Sequence, residues 1–225
     1  MADFPLEYRS RPPVAEADGP APAVVLLHGR GADADDLLGL ADDLPDALHV
    51  LSPQAPDPLG PGFTWYELDL SAGGLHESQP DPDDFRRSLD LLTEFREAAV
   101  TEYDLDPDRI GLFGFSQGAI ASLASVLEAP DDWAWAAALH GYLPASHDPA
   151  EGADVADAAG FPVFVAGGEA DDVIPLSRVQ RAADRLRDAG LDVTAETYPT
   201  AHGIGPRELA DVADWVAERV GGSEA

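Results

Sequence analysis

The sequence predicts an α/β fold, with a mostly parallel central sheet covered by helices on both faces. Two observations carry that prediction. Short, wholly apolar runs alternate along the chain with longer segments of helical period. The runs are apolar at every position rather than at every second one, as expected for strands buried on both sides.

The elements follow in order. Residues 1–20 form an extension or an edge strand. Ala23 to Leu27 (AVVLL) reads as a buried strand ending at His28-Gly29, and Asp35 to Leu44 as a short helix. His49 to Ser52 is a second strand, stopped by Pro53. The stretch 53–80 is rich in Pro and Gly and reads as an excursion outside the sheet, near the pocket. Asp81-Pro82 marks a helix start, with Asp as cap and Pro at the first helical position. Phe85, Leu89, Leu92, Phe95, Ala99 and Tyr103 then give that helix one apolar face. Arg109 to Gly114 is a strand, Gln117 to Leu127 a helix of small residues, and Trp135 to Leu139 a strand. The polar stretch Pro144 to Gly160 is irregular. Phe161 to Ala166 is a strand, Leu176 to Ala189 an amphipathic helix closed by Gly190, Leu191 to Tyr198 a strand and Pro206 to Val220 the last helix. We expect one domain over residues 1–225.

Composition narrows the function classes. The 225 residues carry 43 Asp and Glu against 13 basic residues, a formal net charge of -30. Every basic residue is Arg. Self-repulsion of this size destabilises a compact state in dilute buffer. Molar salt would relieve it, because the Debye length falls to roughly 3 Å at 1 M. The acids are spread over the whole chain, so a halophilic host with a salt-rich cytoplasm is the expectation, ahead of an acidic surface for a basic partner. Nucleic acid is not expected as a partner, since its phosphates would be repelled. With no Cys, the chain has no disulfide framework, no thiol nucleophile and no thiolate metal site. No signal-like apolar segment opens the sequence, and nothing approaches the roughly 20 apolar residues of a membrane span. A cytoplasmic monomer or homodimer is expected. The histidines are scattered, without a His-Glu-x-x-His cluster, and no phosphate loop is present, so no metal and no cofactor are expected.

In open parallel sheets, ligands bind beyond the carboxyl ends of the strands. The most informative turn there is Gly114-Phe115-Ser116-Gln117-Gly118, a G-x-S-x-G between a strand and a helix. That context makes Ser116 a nucleophile on a tight elbow, its hydroxyl held above the sheet. A serine hydroxyl needs a base, and imidazole titrates in the right range. With the chain order nucleophile, acid, histidine, His202 is the base, because His140 and His147 precede the acid turn. The acid comes from Glu169, Asp171 and Asp172, of which Asp171 is preferred and Asp172 second. Backbone N–H groups of Gln117 and of Arg30, in His28-Gly29-Arg30-Gly31, are the oxyanion donors. His28 is read as structural.

The segments LLHGRGADADDLL, GFTWYELDL, RIGLFGFSQGAIASL, GGEADDVIPLSRV and YPTAHGI, in that order, resemble the phospholipase/carboxylesterase family, which includes the acyl-protein thioesterases. The resemblance covers about Ala23 to Val220. It implies an α/β-hydrolase fold and hydrolysis of carboxylic esters or thioesters through an acyl-enzyme on Ser116. It implies the same acid, base and oxyanion donors, and puts Trp65 and Tyr66 beside the acyl pocket. Two positions depart from the pattern. Asp172 stands where relatives often have Pro, and His140 where they have a small polar residue; His140 is a further candidate for the pocket wall. The rival reading is a non-catalytic scaffold of the same fold that binds a small ligand or partner.

Overall fold

The computed structural model describes residues 2–15, 19–153 and 155–221. In chain order, the strands of the first third are β1 (Tyr8–Arg11), β2 (Ala21–Leu27), β3 (His49–Pro53), β4 (Asp57–Leu59), β5 (Gly62–Thr64), β6 (Leu68–Asp69) and β7 (Gln79–Pro80). Then come α1 (Pro82–Tyr103), β8 (Leu105–Phe115), α2 (Gln117–Glu128), β9 (Trp135–Leu139), β10 (Pro162–Gly168), α3 (Leu176–Asp188), β11 (Asp192–Tyr198) and α4 (Pro206–Gly221).

Seven strands form the main sheet, in the order β1-β3-β2-β8-β9-β10-β11. Only β1 runs antiparallel, at the edge against β3. Side chains of a strand alternate between faces. Val24 and Leu26 therefore enter one core with Phe113, Trp135, Val212 and Trp215, the last two from α4. Ala23, Val25 and Leu27 enter the other with residues of α1, α2 and α3, including Leu89, Phe95, Ile120 and Val179. Two separate cores explain why the strand reads AVVLL without a polar position.

Local chemistry sets the element ends. Asp81 caps α1 by accepting the N–H groups of Asp83 and Asp84, with Pro82 at the first helical position. Asp104 closes the helix in the left-handed region, with φ 51°, and the chain passes directly into β8. β8 thus begins at Leu105, earlier than the apolar run at Arg109 suggests. The short helix expected over Asp35–Leu44 is a 3-10 segment, Leu37–Asp42, with no side-chain cap. Gly39 and the acids around it lower helix propensity there, and the segment is anchored by the buried Leu37 and Ala41, with Leu38 and Leu40 partly buried against the same core. Stretch 53–80 folds into two small antiparallel ribbons, β4 with β5 and β6 with β7.

Candidate functional site

Ser116 stands at the junction of β8 and α2 with φ 54° and ψ -114°, a conformation that is costly for a residue with a side chain. The tight bend depends on its glycines. A Cβ on Gly114 would lie 2.4 Å from the Gly118 carbonyl oxygen, and one on Gly118 would lie 2.0 Å from the Leu27 carbonyl oxygen. Neither contact leaves room for a larger residue.

Asp171 follows β10, and His202 follows β11, so both arrive at the strand end where Ser116 sits. His202 Nε2 lies 2.9 Å from Ser116 Oγ, and His202 Nδ1 lies 2.7 Å from Asp171 Oδ2. Asp171 Oδ1 accepts the backbone N–H groups of Val173 and Ile174, both at 2.9 Å. Burial would raise the Asp171 carboxyl, but hydrogen bonds from His140, His202 and these two amides outweigh it and hold it below the ordinary range. Asp172 is exposed, and its carbonyl oxygen lies 2.7 Å from His76 Nε2.

A cavity of about 250 Å³ opens at Ser116. Its apolar wall is Tyr66, Leu68, Leu75, Ile120, Val173 and Ile174, and Arg30, Gln117 and His202 border it. Gln117 is the first residue of α2, so its N–H has no acceptor within the helix and lies at the helix's positive end. Arg30 sits in the turn after β2, its guanidinium 3.5 Å from Glu67.

The three candidates for the pocket wall separate. Tyr66 lines the cavity. Trp65 is not in the cavity wall; its indole N–H donates to the His28 carbonyl oxygen at 2.9 Å. His140 is fully buried and sits behind the acid, with Nδ1 2.8 Å from Asp171 Oδ2. His28 donates from Nδ1 to the Gly29 carbonyl oxygen and accepts the Ala55 N–H at Nε2, which fixes one neutral tautomer. Burial lowers its pKa further below the ordinary value.

Two features escaped the sequence reading. The Gln117 side chain holds the Trp65–Tyr66 backbone. Glu208, wholly buried, faces the far side of His140. A signal for Glu208 exists: it lies four residues before Val212 and seven before Trp215, on the buried stripe of α4.

Potential ligand atoms of His140, Asp171 and His202 lie within 4.8 Å of one another. Their arrangement is two imidazole nitrogens converging on one carboxylate oxygen, and a metal there would have to displace both ring protons.

A family model described as phospholipase/carboxylesterase matches residues 12–219. Acyl-protein thioesterase 1 of Candida albicans is 26% identical over 210 residues, covering 86% of this chain and 90% of that protein. The crystal structure of esterase PE8 superposes with a TM-score of 0.81 at 28% identity, over 95% of this chain and 98% of its own. The Bacillus cereus carboxylesterase has the same fold, with a TM-score of 0.81 at 23% identity over 96% of this chain and 95% of its own.

Proposed function

Because the chain belongs to the phospholipase/carboxylesterase family and is a serine hydrolase of the α/β-hydrolase fold, we propose that it cleaves carboxylic esters through an acyl-enzyme on Ser116. The observation that carries this reading is the continuous hydrogen-bonded path from Ser116 Oγ through His202 to Asp171.

His202 Nε2 takes the hydroxyl proton as Ser116 Oγ attacks the acyl carbon. Asp171 keeps the other ring nitrogen protonated and stabilises the imidazolium that forms. The carbonyl oxygen becomes an oxyanion between the backbone N–H groups of Gln117 and Arg30. Collapse of the tetrahedral intermediate expels the alcohol or thiol, which leaves with the proton from His202. Water, deprotonated by His202, then attacks the acyl-serine and frees the acid and Ser116. The apolar wall of Tyr66, Leu68, Leu75, Ile120, Val173 and Ile174 favours a short or medium aliphatic acyl group, and thioesters of such acids fit the same chemistry. The excess of acidic residues supports action in a salt-rich cytoplasm.

The test is Ser116→Ala with p-nitrophenyl butyrate in molar KCl. Turnover should fall by several orders of magnitude. Undiminished hydrolysis would eliminate the proposal, and with it the claim that the path of hydrogen bonds serves catalysis.

A further inference from the structure

We propose that His140 is an imidazolium clamped between Asp171 and Glu208, and that this buried cation is a positioning residue which sets the pH at which His202 becomes a free base. The second half of the proposal rests on the catalytic reading above; the first half does not.

The argument starts from proton counting. The side chains of His140, Asp171 and Glu208 are all fully buried. Buried charges persist only when paired, so two carboxylates here require compensation. Asp171 accepts two backbone N–H groups at Oδ1 and the His202 Nδ1–H at Oδ2, which fits the ionised form. His140 Nδ1 meets the same Oδ2 at 2.8 Å, and an ionised carboxylate can only accept, so Nδ1 carries a proton.

His140 Nε2 then lies 3.3 Å from the Glu208 carboxylate. Were His140 neutral, its Nε2 lone pair would face carboxylate oxygens in a fully buried site. A proton must lie between them. Two features put the negative charge on Glu208 and the proton on His140. Glu208 accepts the Gly205 N–H at 3.3 Å, and it occupies the first turn of α4, where the helix dipole favours an anion. Burial draws the imidazole towards neutrality, but the hydrogen bonds to Glu208 and Asp171 outweigh it and raise the His140 pKa. The ring also faces Phe115 at 5.5 Å between centroids and His202 at 5.6 Å, perpendicular. Beyond Glu208 stand Tyr198 and Asp211, hydrogen-bonded to each other at 2.9 Å. The His140 backbone is held by its N–H to the Ala166 carbonyl oxygen at 2.8 Å, and the ring by full burial and its contacts with Asp171 and Glu208.

The consequence concerns His202. Asp171 stabilises the His202 imidazolium, and a cation on the same carboxylate oxygen weakens that field. Removing the cation lets Asp171 act on His202 in full, so His202 holds its proton to higher pH.

The test is the pH profile of kcat/KM in Glu208→Gln, His140→Asn and the double variant; Asn tolerates the left-handed backbone at position 140, where φ is 54°. The acid limb should move up by about one pH unit in each single variant. The double variant should move no further than either single one, because each variant abolishes the same cation on Asp171 Oδ2. Acid limbs that stay in place, with only stability reduced, would reduce His140 and Glu208 to core filling and overturn the proposal. A readout independent of turnover is the ¹⁵N spectrum of His140 in Ser116→Ala. Both ring nitrogens should be protonated at neutral pH, and Glu208→Gln should leave Nδ1 alone protonated. A singly protonated His140 in Ser116→Ala overturns the ion pair even if the catalytic reading stands. If instead Ser116→Ala retains full activity, the catalytic reading fails while the spectrum still decides the charge of His140.

Discussion

The Gln117 side-chain oxygen accepts the backbone N–H of Trp65 at 2.9 Å. The same oxygen accepts the Thr64 hydroxyl at 3.1 Å, and the Gln117 amide nitrogen donates to the Tyr66 carbonyl oxygen at 2.7 Å. The residue after the elbow therefore holds, across more than fifty positions of sequence, the segment that carries Tyr66 to the cavity wall.

Gln117→Ala should destabilise the protein by about 1–3 kcal/mol, since it orphans the buried Trp65 N–H and leaves the Thr64 hydroxyl and the Tyr66 carbonyl only each other at 2.7 Å. Its backbone N–H survives the substitution, so kcat/KM at temperatures well below unfolding should fall by only about tenfold, through displacement of Tyr66. Urea unfolding and steady-state kinetics measure the two effects separately. A variant as stable as the parent would contradict the clamp.

Asp171 and Asp172 are neighbours with opposite environments, one buried against two imidazoles and the other exposed. Asp171→Asn should lower kcat by roughly 10³–10⁴-fold. Asp172→Asn should change it by less than about twofold, because its carboxylate is not among the groups hydrogen-bonded to His202. Equal losses in the two variants would put the choice of acid in doubt.

Glu128 ends α2, where a negative charge is poorly placed against the helix dipole, yet it is held by Arg86 through two bonds at 2.6 and 2.8 Å and by His147 at 2.8 Å. Burial raises its carboxyl, but the His147 and Arg86 contacts win and hold it at about 2 against an ordinary 4.5. The folded-state value is the lower one, so the unfolded chain takes up this proton first as pH falls. The stabilisation is complete above about 4.5 and is lost as pH drops towards about 2. The urea midpoint of Glu128→Gln should therefore lie below that of the parent at pH 7, and the gap should narrow through that window. A gap independent of pH would show that the ion pairs contribute nothing to it.

The surplus of 30 negative charges gives a prediction about salt. Tm should rise steadily from dilute buffer to molar KCl, as screening removes the repulsion between carboxylates. An unchanging Tm would speak against salt adaptation.

The fold was legible where burial is symmetrical. β2, β9 and β10 read as apolar runs because each is sandwiched between two cores. The elbow was legible because its steric demand leaves Gly114 and Gly118 as a visible signature, and strand order then led to Asp171 and His202, the side chains that lie within hydrogen-bond reach of each other. The ribbons β4 to β7 were not legible, because two- and three-residue strands depend on tertiary contacts such as the Gly31 N–H to the Phe63 carbonyl oxygen at 2.7 Å. Trp65 was expected beside the pocket and lies beneath the loop instead, because an aromatic in either place leaves the same trace in the sequence. Glu208 was hidden by composition, since one acid among 43 attracts no notice until its place on the apolar stripe of α4 is counted.

The central claim is that Ser116 carries the acyl group during turnover. Intact-protein and peptide mass spectrometry after reaction with a fluorophosphonate in molar KCl tests it most directly. The account predicts one adduct per chain, located on the peptide containing Ser116, abolished in Ser116→Ala and greatly slowed in His202→Ala. An unmodified Ser116 in a folded, hydrolytically active preparation would contradict it.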